Sequence, residues 1–331
     1  MIRYITRRLL GAVLLLVIVT AVVFVMFNVL PTSDPATLRA GKNASPEQIE
    51  IIRESLGLDD PIYERFGRYI LGVFTPYQNE EVGVDGPLDL GTSIFQNNEP
   101  VREIIFNRLP ATIFLVSGAV VLWIAIAVPV GVISAVKRRS LLDRTTMITT
   151  LAFISAPVFW LGLVALYLFA QDVGVISIFP GIGSYSEANG FFAKSWSLLL
   201  PWIVLALATA AIYARYIRSQ MIDVMSEDYI RTARAKGLSE ARVIRHHGLR
   251  SAITPVVTLL GLDVGILLAG NAILTESVFN IPGVGKEIVT AIGQSDYELI
   301  QGIVLFGAFF IVTFNLIVDI LYAYLDPRVR Y

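Results

Sequence analysis

Residues 109–136 read LPATIFLVSGAVVLWIAIAVPVGVISAV, and this stretch contains no charged side chain. A helix needs ~20 apolar residues, at ~1.5 Å of rise each, to cross the hydrocarbon core of a bilayer. The stretch therefore predicts a membrane-spanning helix. Five further stretches pass the same test, so the sequence predicts an all-α polytopic membrane protein with six transmembrane helices. The six stretches are residues 9–30, 109–136, 145–171, 198–213, 253–275 and 303–325.

The composition agrees with a protein that lies largely in lipid. Of the 331 residues, 55% are hydrophobic and 16% are charged, and the mean hydropathy is +0.67. Soluble domains contain about 25% charged residues. The formal net charge of −1 creates no field that would attract nucleic acid. The absence of cysteine excludes a disulfide framework, thiol catalysis and cysteine-based metal sites.

The basic residues of the connecting segments predict the orientation. Lysine and arginine concentrate in the short cytoplasmic loops of membrane proteins. With the N-terminus inside, Lys194 and Lys286 are the only basic residues of the two short outer loops. We therefore expect both termini to be cytoplasmic, with Arg215 and Arg218 extending to the interface. The inner segments contain Arg3, Arg7, Arg8, Lys137, Arg138, Arg139, Arg144, Arg215, Arg218, Arg231, Arg234, Lys236, Arg242, Arg245, Arg250, Arg328 and Arg330.

The spans divide the chain into three regions. Residues 1–30 hold a cytoplasmic N-terminus and the first span, whose apolar run is too long for a cleaved signal peptide. With this orientation, residues 31–108 form an extracytoplasmic insertion. We expect the insertion to have structure of its own, because a structureless loop of this length is uncommon in compact proteins. Residues 109–331 form the membrane core with the second to sixth spans. The insertion is interpreted either as a cap that guards a pore or docks a partner, or as a passive packing insert.

The insertion has its own helix signals. The sequence Ser45-Pro46-Glu47-Gln48 has the pattern of a capping box with proline at the first helical position. Gly57 is placed to end that helix. A second amphipathic helix is expected near residues 63–74. The acidic stretch 79–89, which contains glycine and proline, is expected to be flexible.

The inner loop between the fourth and fifth spans, residues 221–252, predicts two short helices outside the membrane. Ser226 is expected to cap the first helix and Gly237 to close it. Ser239 is expected to cap the second helix, which we expect to end before Gly248. Acidic residues at each helix start and basic residues at each end complement the helix dipoles.

At these positions the sequence resembles a known family, the membrane subunits of ATP-binding-cassette (ABC) importers. Their cytoplasmic signature is commonly written as E-A-A, three residues, G, nine residues and I-x-L-P, and here only Ala233, Gly237 and Leu249 match that general form. The departures are those of the dipeptide, oligopeptide and nickel permease branch. Residues 79–85 are an expansion beyond the short form of this branch. The stretches similar to the branch include LGLDDP (56–61), RLPAT (108–112), DYIRTARAKGL (228–238), TESVFNIPGVG (275–285) and LDPRVRY (325–331).

The resemblance implies a type I ABC importer transmembrane domain in a prokaryotic inner (cytoplasmic) membrane. The implied partners are a second homologous permease, two cytoplasmic ABC ATPases and an extracytoplasmic peptide-binding protein, besides membrane lipid. It implies no cofactor on this chain, since ATP and Mg would be bound by the ATPases. The implied substrate is a di- or oligopeptide, with nickel or another small solute as the alternative. The residues implied to couple to the ATPase are Asp228, Tyr229, Arg231, Thr232, Ala233, Lys236, Gly237, Leu238, His246 and Leu249.

The sequence shows no catalytic cluster. Residues 280–287 come nearest to a phosphate-binding loop but lack its first glycine and its hydroxyl. The adjacent His246 and His247 point ~100° apart on a helix, so we expect no metal site. A secondary transporter driven by an ion gradient is the main rival, and the sequence shows no clear inverted repeat in its favour.

Two carboxylates lie inside predicted spans, where an uncompensated charge is costly. Asp263 is interpreted either as a pore-facing group, with Asn271 on the same side, or as a structural partner of a neighbouring helix. For Asp319 we favour the structural interpretation. Gly261 and Gly265 form a G-x-x-x-G pattern that predicts close packing of the fifth span against another helix.

Overall fold

The computed structural model describes residues 2–29, 34–40, 44–55, 57–74 and 88–325. This part of the chain is dominated by helices, which confirms the predicted all-α fold. The first half contains α1 (Ile2–Phe24, continued by a π turn over Val25–Val29), α2 (Pro35–Ala40), α3 (Pro46–Ser55), α4 (Ile62–Phe74), β1 (Thr92–Ser93), β2 (Glu99–Pro100), α5 (Val101–Val136), α6 (Leu141–Ser155) and α7 (Val158–Phe169). The second half contains α8 (Ser184–Glu187), α9 (Phe191–Met225), α10 (Asp228–Ala235), α11 (Glu240–Arg242), a π turn (Val243–Gly248), α12 (Leu249–Ala252), α13 (Thr254–Ile266), a π turn (Leu267–Asn271), α14 (Ile273–Phe279), α15 (Val284–Gln294) and α16 (Tyr297–Leu325).

Four helical stretches in the described residues are long and apolar enough to cross a membrane. Two bent helix pairs pass the same test, which raises the number to as many as six. The straight stretches are Ile5–Val29, Val101–Val136, Phe191–Met225 and Tyr297–Ile320. The bent pairs are Leu141–Ser155 with Val158–Phe169, at 101°, and Glu240–Ala252 with Thr254–Gly270, at 48°.

Three predicted spans differ from the observed helices. The stretch 145–171 is not one helix, because Pro157 holds the preceding Ala156 in an extended conformation at φ −88°, ψ 124°. The stretch 198–213 is part of a helix that continues to Met225, so the predicted inner loop begins inside a helix. The stretch 253–275 is interrupted at Gly270, whose φ of 104° is not helical.

The chain divides into two compact units, of which the first comprises residues 111–286 and 313 onward. Its core is formed by Trp123, Tyr213, Ile217 and Met221 with neighbouring small residues. A side chain at Gly131 would come within 2.8 Å of the Ala214 carbonyl, so glycine lets the two helix backbones approach closely. Gly261 lies against Val318 in the same way, which confirms the predicted close packing at the first glycine of the G-x-x-x-G pattern.

The second unit comprises residues 2–110 and 287–312, and thus includes α1 and most of α15 as well as the predicted insertion. The capping box is confirmed: Gln48 N–H donates to Ser45 Oγ at 3.2 Å, and Ser45 N–H donates to Gln48 Oε1 at 2.9 Å. Gly57 ends α3 at φ 58°, as predicted. The expected second helix is α4.

Parts of two predictions fall outside the described residues. These are most of the acidic stretch expected to be flexible, at 79–87, and the end of the C-terminal motif, at 326–331.

Candidate functional site

The segment that follows α9 forms two helices, and we call residues 226–252 the arm. Its first helix, α10, ends at Gly237, which has a φ of 77°. Gly237 N–H donates to Arg234 O at 2.9 Å and Leu238 N–H donates to Ala233 O at 3.4 Å, the two bonds of a Schellman motif. The prediction that Gly237 closes this helix is therefore confirmed.

The predicted cap at Ser226 is wrong. Ser226 is the C-cap residue that follows α9, and its hydroxyl donates to the Asp223 carbonyl at 2.6 Å. The N-cap position of α10 is Glu227, which makes no side-chain capping bond. Serine can satisfy either end of a helix, because its hydroxyl both donates and accepts.

The second helix of the arm does not end before Gly248, contrary to the prediction. Ser239 occupies its N-cap position without a side-chain bond. Helical structure then continues from Glu240 through a π turn to Ala252. A side chain at Gly248 would lie 2.9 Å from Met225 Sδ, so this glycine allows the arm to pack on the end of α9.

The two arm helices are held together by a small apolar cluster and an ion pair. Ile230, Ala233 and Val243 are buried together, and Met225 and Leu238 pack at the edge. Arg234 joins the helices through Nη2 to Glu240 Oε1 at 2.6 Å and Nε to Oε2 at 3.1 Å. The arm is therefore a defined helix pair.

The implied coupling residues divide by exposure. Ala233 is buried inside the arm, so it does not share an open surface with Gly237. A Cβ atom added at Gly237 would meet no other atom within 4 Å. Leu238 and Leu249 are half-buried. The exposed residues are Asp228, Tyr229, Arg231, Thr232, Lys236, Gly237 and His246.

An ion pair near the end of α9, between a half-buried arginine and a buried aspartate, was missed by sequence reasoning. Arg218 does not simply extend to the interface. It donates from Nε to Asp143 Oδ1 at 2.7 Å and from Nη2 to Oδ2 at 2.9 Å. Asp143 also accepts from the Ser134 hydroxyl and from Arg139 N–H at 2.8 Å. This network joins the turn between α5 and α6 to the helix that leads into the arm.

The intramembrane polar residues are placed separately. Tyr213 donates its hydroxyl to Asp263 Oδ2 at 2.6 Å, the hydrogen bond that the structural interpretation requires. Asp319 is half-buried on α16, and the side chain of Asn271 lies outside the described residues.

The rings of His246 and His247 are nearly perpendicular, at 88°. In the described part of the chain, no three His, Asp or Glu side chains are grouped so that they could hold a metal ion.

A second missed feature is Glu276, which is fully buried on α14. Its Oε1 accepts from the Thr112 hydroxyl at 2.7 Å and its Oε2 from Lys286 N–H at 2.8 Å. Burial raises the pKa of Glu276, and these hydrogen bonds oppose that shift. A side chain at Gly283 would collide with the Glu276 carboxylate, so the turn between α14 and α15 requires glycine there. The sequence signal that could have identified Glu276 is its position directly after the predicted span 253–275.

Comparisons with known proteins agree with this architecture. Residues 127–331 match the family described as binding-protein-dependent transport system inner membrane component, and residues 1–116 match the N-terminal region of such membrane components. The chain is 39% identical over 332 residues to the glutathione transport system permease protein GsiC of Escherichia coli K12, with full coverage of both chains. The same identity and coverage hold for GsiC of Salmonella paratyphi A and of Shigella dysenteriae serotype 1.

These matches decide between the two transport classes considered above. Permeases of this kind are not enzymes, and separate subunits hydrolyse ATP. The ion-gradient-driven alternative is set aside, because the family model and the relatives cover the chain from end to end. The chain therefore belongs to the binding-protein-dependent transport system inner membrane components, the permease subunits of ABC importers.

Proposed function

We propose that this permease forms half of the translocation path of an importer of short peptides and that the arm couples it to an ATPase subunit. A second homologous permease supplies the other half, and both termini are cytoplasmic. The observation that supports this proposal is the arm itself. It is a defined helix pair with an exposed polar surface, and it is continuous with membrane helices at both of its ends.

The arm is suited to transmit motion. On one side α9 runs without a break from Phe191 to Met225, and on the other side α13 begins two residues after the arm. Met221 and Ala252 belong to one buried core, so the base of the arm moves as one body with both helices. ATP-driven closure of two ATPase subunits would therefore tilt the helices between two packed states. ATP and Mg are bound by the ATPases and not by this chain.

The substrate proposal rests on similarity. The relatives are named for transport of glutathione, which is a tripeptide, and the sequence motifs are those of the peptide permease branch. An extracytoplasmic binding protein would deliver the peptide to the outer mouth. Nickel or another small solute remains the alternative.

Docking is tested by site-specific crosslinking in the assembled complex. The chain contains no cysteine, so a single introduced cysteine reports without background from this subunit. We expect Lys236→Cys, on the exposed end of α10, to crosslink to an ATPase subunit. Arg138→Cys, exposed in the turn before α6, is the matched control and should react less. Absence of an ATPase adduct at 236, with intact assembly and ATPase activity, contradicts the docking role.

The substrate is tested in proteoliposomes that contain the complete complex and its binding protein. We expect uptake of glutathione or dipeptides that requires ATP and the binding protein. Uptake of nickel or a sugar without peptide uptake would overturn the peptide assignment and leave the docking result standing.

The orientation is tested by a reporter fused at Tyr331. A reporter that is active outside the cell would overturn the orientation.

A further inference from the structure

An apolar cavity of about 250 Å³ lies within the second unit, among α1, α4, the start of α5 and α16. Of the residues that line it, only Thr20 and Arg102 have polar side-chain groups. The other lining residues are aliphatic or aromatic, and they include Leu16, Val19, Val73, Leu305 and Ala308. The cavity therefore suits a hydrocarbon rather than a polar ligand.

The cavity lies at the depth of the hydrocarbon core. The stretch Ile5–Val29 is long and apolar enough to cross a membrane, and Val19 lies roughly 15 Å along this helix from Val29. Half of a hydrocarbon core is also about 15 Å thick. Leu16 and Val19 both line the cavity, so an upright helix would place its deep end near the middle of the bilayer. A typical tilt of about 20° changes this depth by less than one helical turn.

Helix α4 runs beside α1 to the same depth. The rings of Phe66 and Tyr69 lie against Phe24 of α1, with ring centroids at 5.2 and 5.6 Å. One turn further along α4, Val73 packs in a buried cluster with Val23 of α1. The end of α4 then lines the cavity together with the middle of α1. The last part of α4 thus lies beside the membrane-spanning part of α1.

The cavity is open to its surroundings on one side. Phe74, Phe106 and Phe309 line it, and each of these rings is half exposed. Leu15 and Ile18 on α1 are exposed at the same depth. Because lipid surrounds a protein at this depth, the cavity is continuous with the lipid-facing surface of α1.

Water and vacuum are both poor occupants of this cavity. The Thr20 hydroxyl already donates to the Leu16 carbonyl at 2.8 Å. A buried water needs two to four polar partners, and the lining offers few beyond Arg102. An empty cavity would deprive its lining of dispersion contacts. Apolar cavities of only ~150 Å³ already bind molecules of the size of benzene.

We propose that this cavity binds one acyl chain of a phospholipid, taken from the leaflet that α4 enters. The chain fills the space among α1, α4, α5 and α16, and it fixes α4 against the bundle. Arg102 lies in the first turn of α5, where a long basic side chain can extend toward the lipid headgroups. The site depends neither on the proposed transport substrate nor on docking of the arm.

The test uses the complete purified complex in nanodiscs that contain phosphatidylethanolamine with a photoreactive diazirine near the end of one acyl chain. The complex is transferred to detergent to remove loosely bound lipid, and it is then irradiated and digested. Mass spectrometry locates the lipid adducts on this chain. We expect adducts at Val73, at Phe74 or within residues 305–310, which line the cavity from α4 and α16.

Filling the cavity should displace the acyl chain. Ala308 and Val19 line the cavity, so Ala308→Phe and Val19→Phe should each reduce labelling at these positions at least roughly tenfold. Leu14→Phe is the matched control, because Leu14 is exposed on α1 outside the cavity. It should be labelled as the parent is. Thermal unfolding of each complex checks that the variants are folded.

Two outcomes would overturn the proposal. The first is a parent complex whose exposed apolar surface is labelled while the cavity residues are not, since the cavity would then take up no acyl chain. The second is equal labelling of folded Ala308→Phe, Val19→Phe and Leu14→Phe, since the bound chain would then lie elsewhere on the surface.

Discussion

Two ion pairs in the first unit, one at the base of the arm and one within it, differ in their surroundings. Asp143 and Arg218 are 5% and 23% exposed and share a network with a hydroxyl and a main-chain N–H. Arg234 and Glu240 form a contact of similar length, 2.6 Å, but are 41% and 54% exposed. Geometry alone would rank the two pairs together, whereas burial separates them.

The difference in burial determines how strongly each ion pair resists rearrangement. Removing one partner of a buried pair leaves an uncompensated charge, so the base of the arm resists rearrangement. An exposed pair contributes little, because water and salt screen it. The arm is thus attached to its helices through a firm base, while its own surface remains free to adjust to a partner. Four sets of substitutions test this contrast, from the largest expected effect to the smallest.

Breaking the ion pair between Asp143 and Arg218 at the base of the arm should have the largest effect. Arg218→Leu leaves Asp143 buried without its cation, and we expect a loss of about 3–5 kcal/mol in unfolding free energy. Thermal unfolding of the purified complex measures it. Adding Asp143→Asn removes the stranded charge and should recover part of the loss. If the double variant is no more stable than Arg218→Leu, the pair does not act as described.

Filling the contact between arm and base should have the next largest effect. The branched side chain of Gly248→Val would collide with Met225 Sδ, and overpacking of this kind costs about 1–3 kcal/mol. Met225→Ala creates room, so the double variant should be more stable than the two single losses predict. Strict additivity would show that Gly248 does not support the packing of the arm on α9.

Changing the turn of the arm should have a smaller and local effect. Gly237 has a left-handed φ, and Gly237→Ala should cost about 1–2 kcal/mol, with faster amide exchange in α10. Gly237→Asn should cost less, because asparagine tolerates this conformation. Gly293→Ala is the control: its added side chain meets no atom within 4 Å, and a helical glycine should gain stability from the change. Equal losses at 237 and 293 would contradict the assignment.

Breaking the exposed pair should have the smallest effect. Arg234→Gln should change the unfolding free energy by no more than about 1 kcal/mol, and less at high salt. Glu240→Gln should give the same result. A loss as large as that of Arg218→Leu would remove the contrast between the base and the arm.

Local features of the structure could be predicted from the sequence. The capping box at Ser45 and Gln48 and the helix ends at Gly57 and Gly237 all depend on residues within one or two helical turns. The apolar stretches can likewise be recognised from the sequence alone, because their length and composition suit the hydrocarbon core of a bilayer. The predictions at Ser226 and Gly248 are wrong for the same reason. Both residue types are common at helix termini, and tertiary contacts decide whether a helix begins or ends at them.

The sequence by itself therefore determined the all-α membrane fold, most of the apolar stretches that could cross the bilayer, the short helices of the insertion and the family motifs of the arm. Tertiary structure decided how the buried polar groups are satisfied: Arg218 on Asp143, Tyr213 on Asp263 and Thr112 on Glu276. These partners are 75, 50 and 164 residues apart. Periodicity and capping act over a few residues, whereas the choice of a distant partner depends on which helices pack together, and no local pattern encodes that.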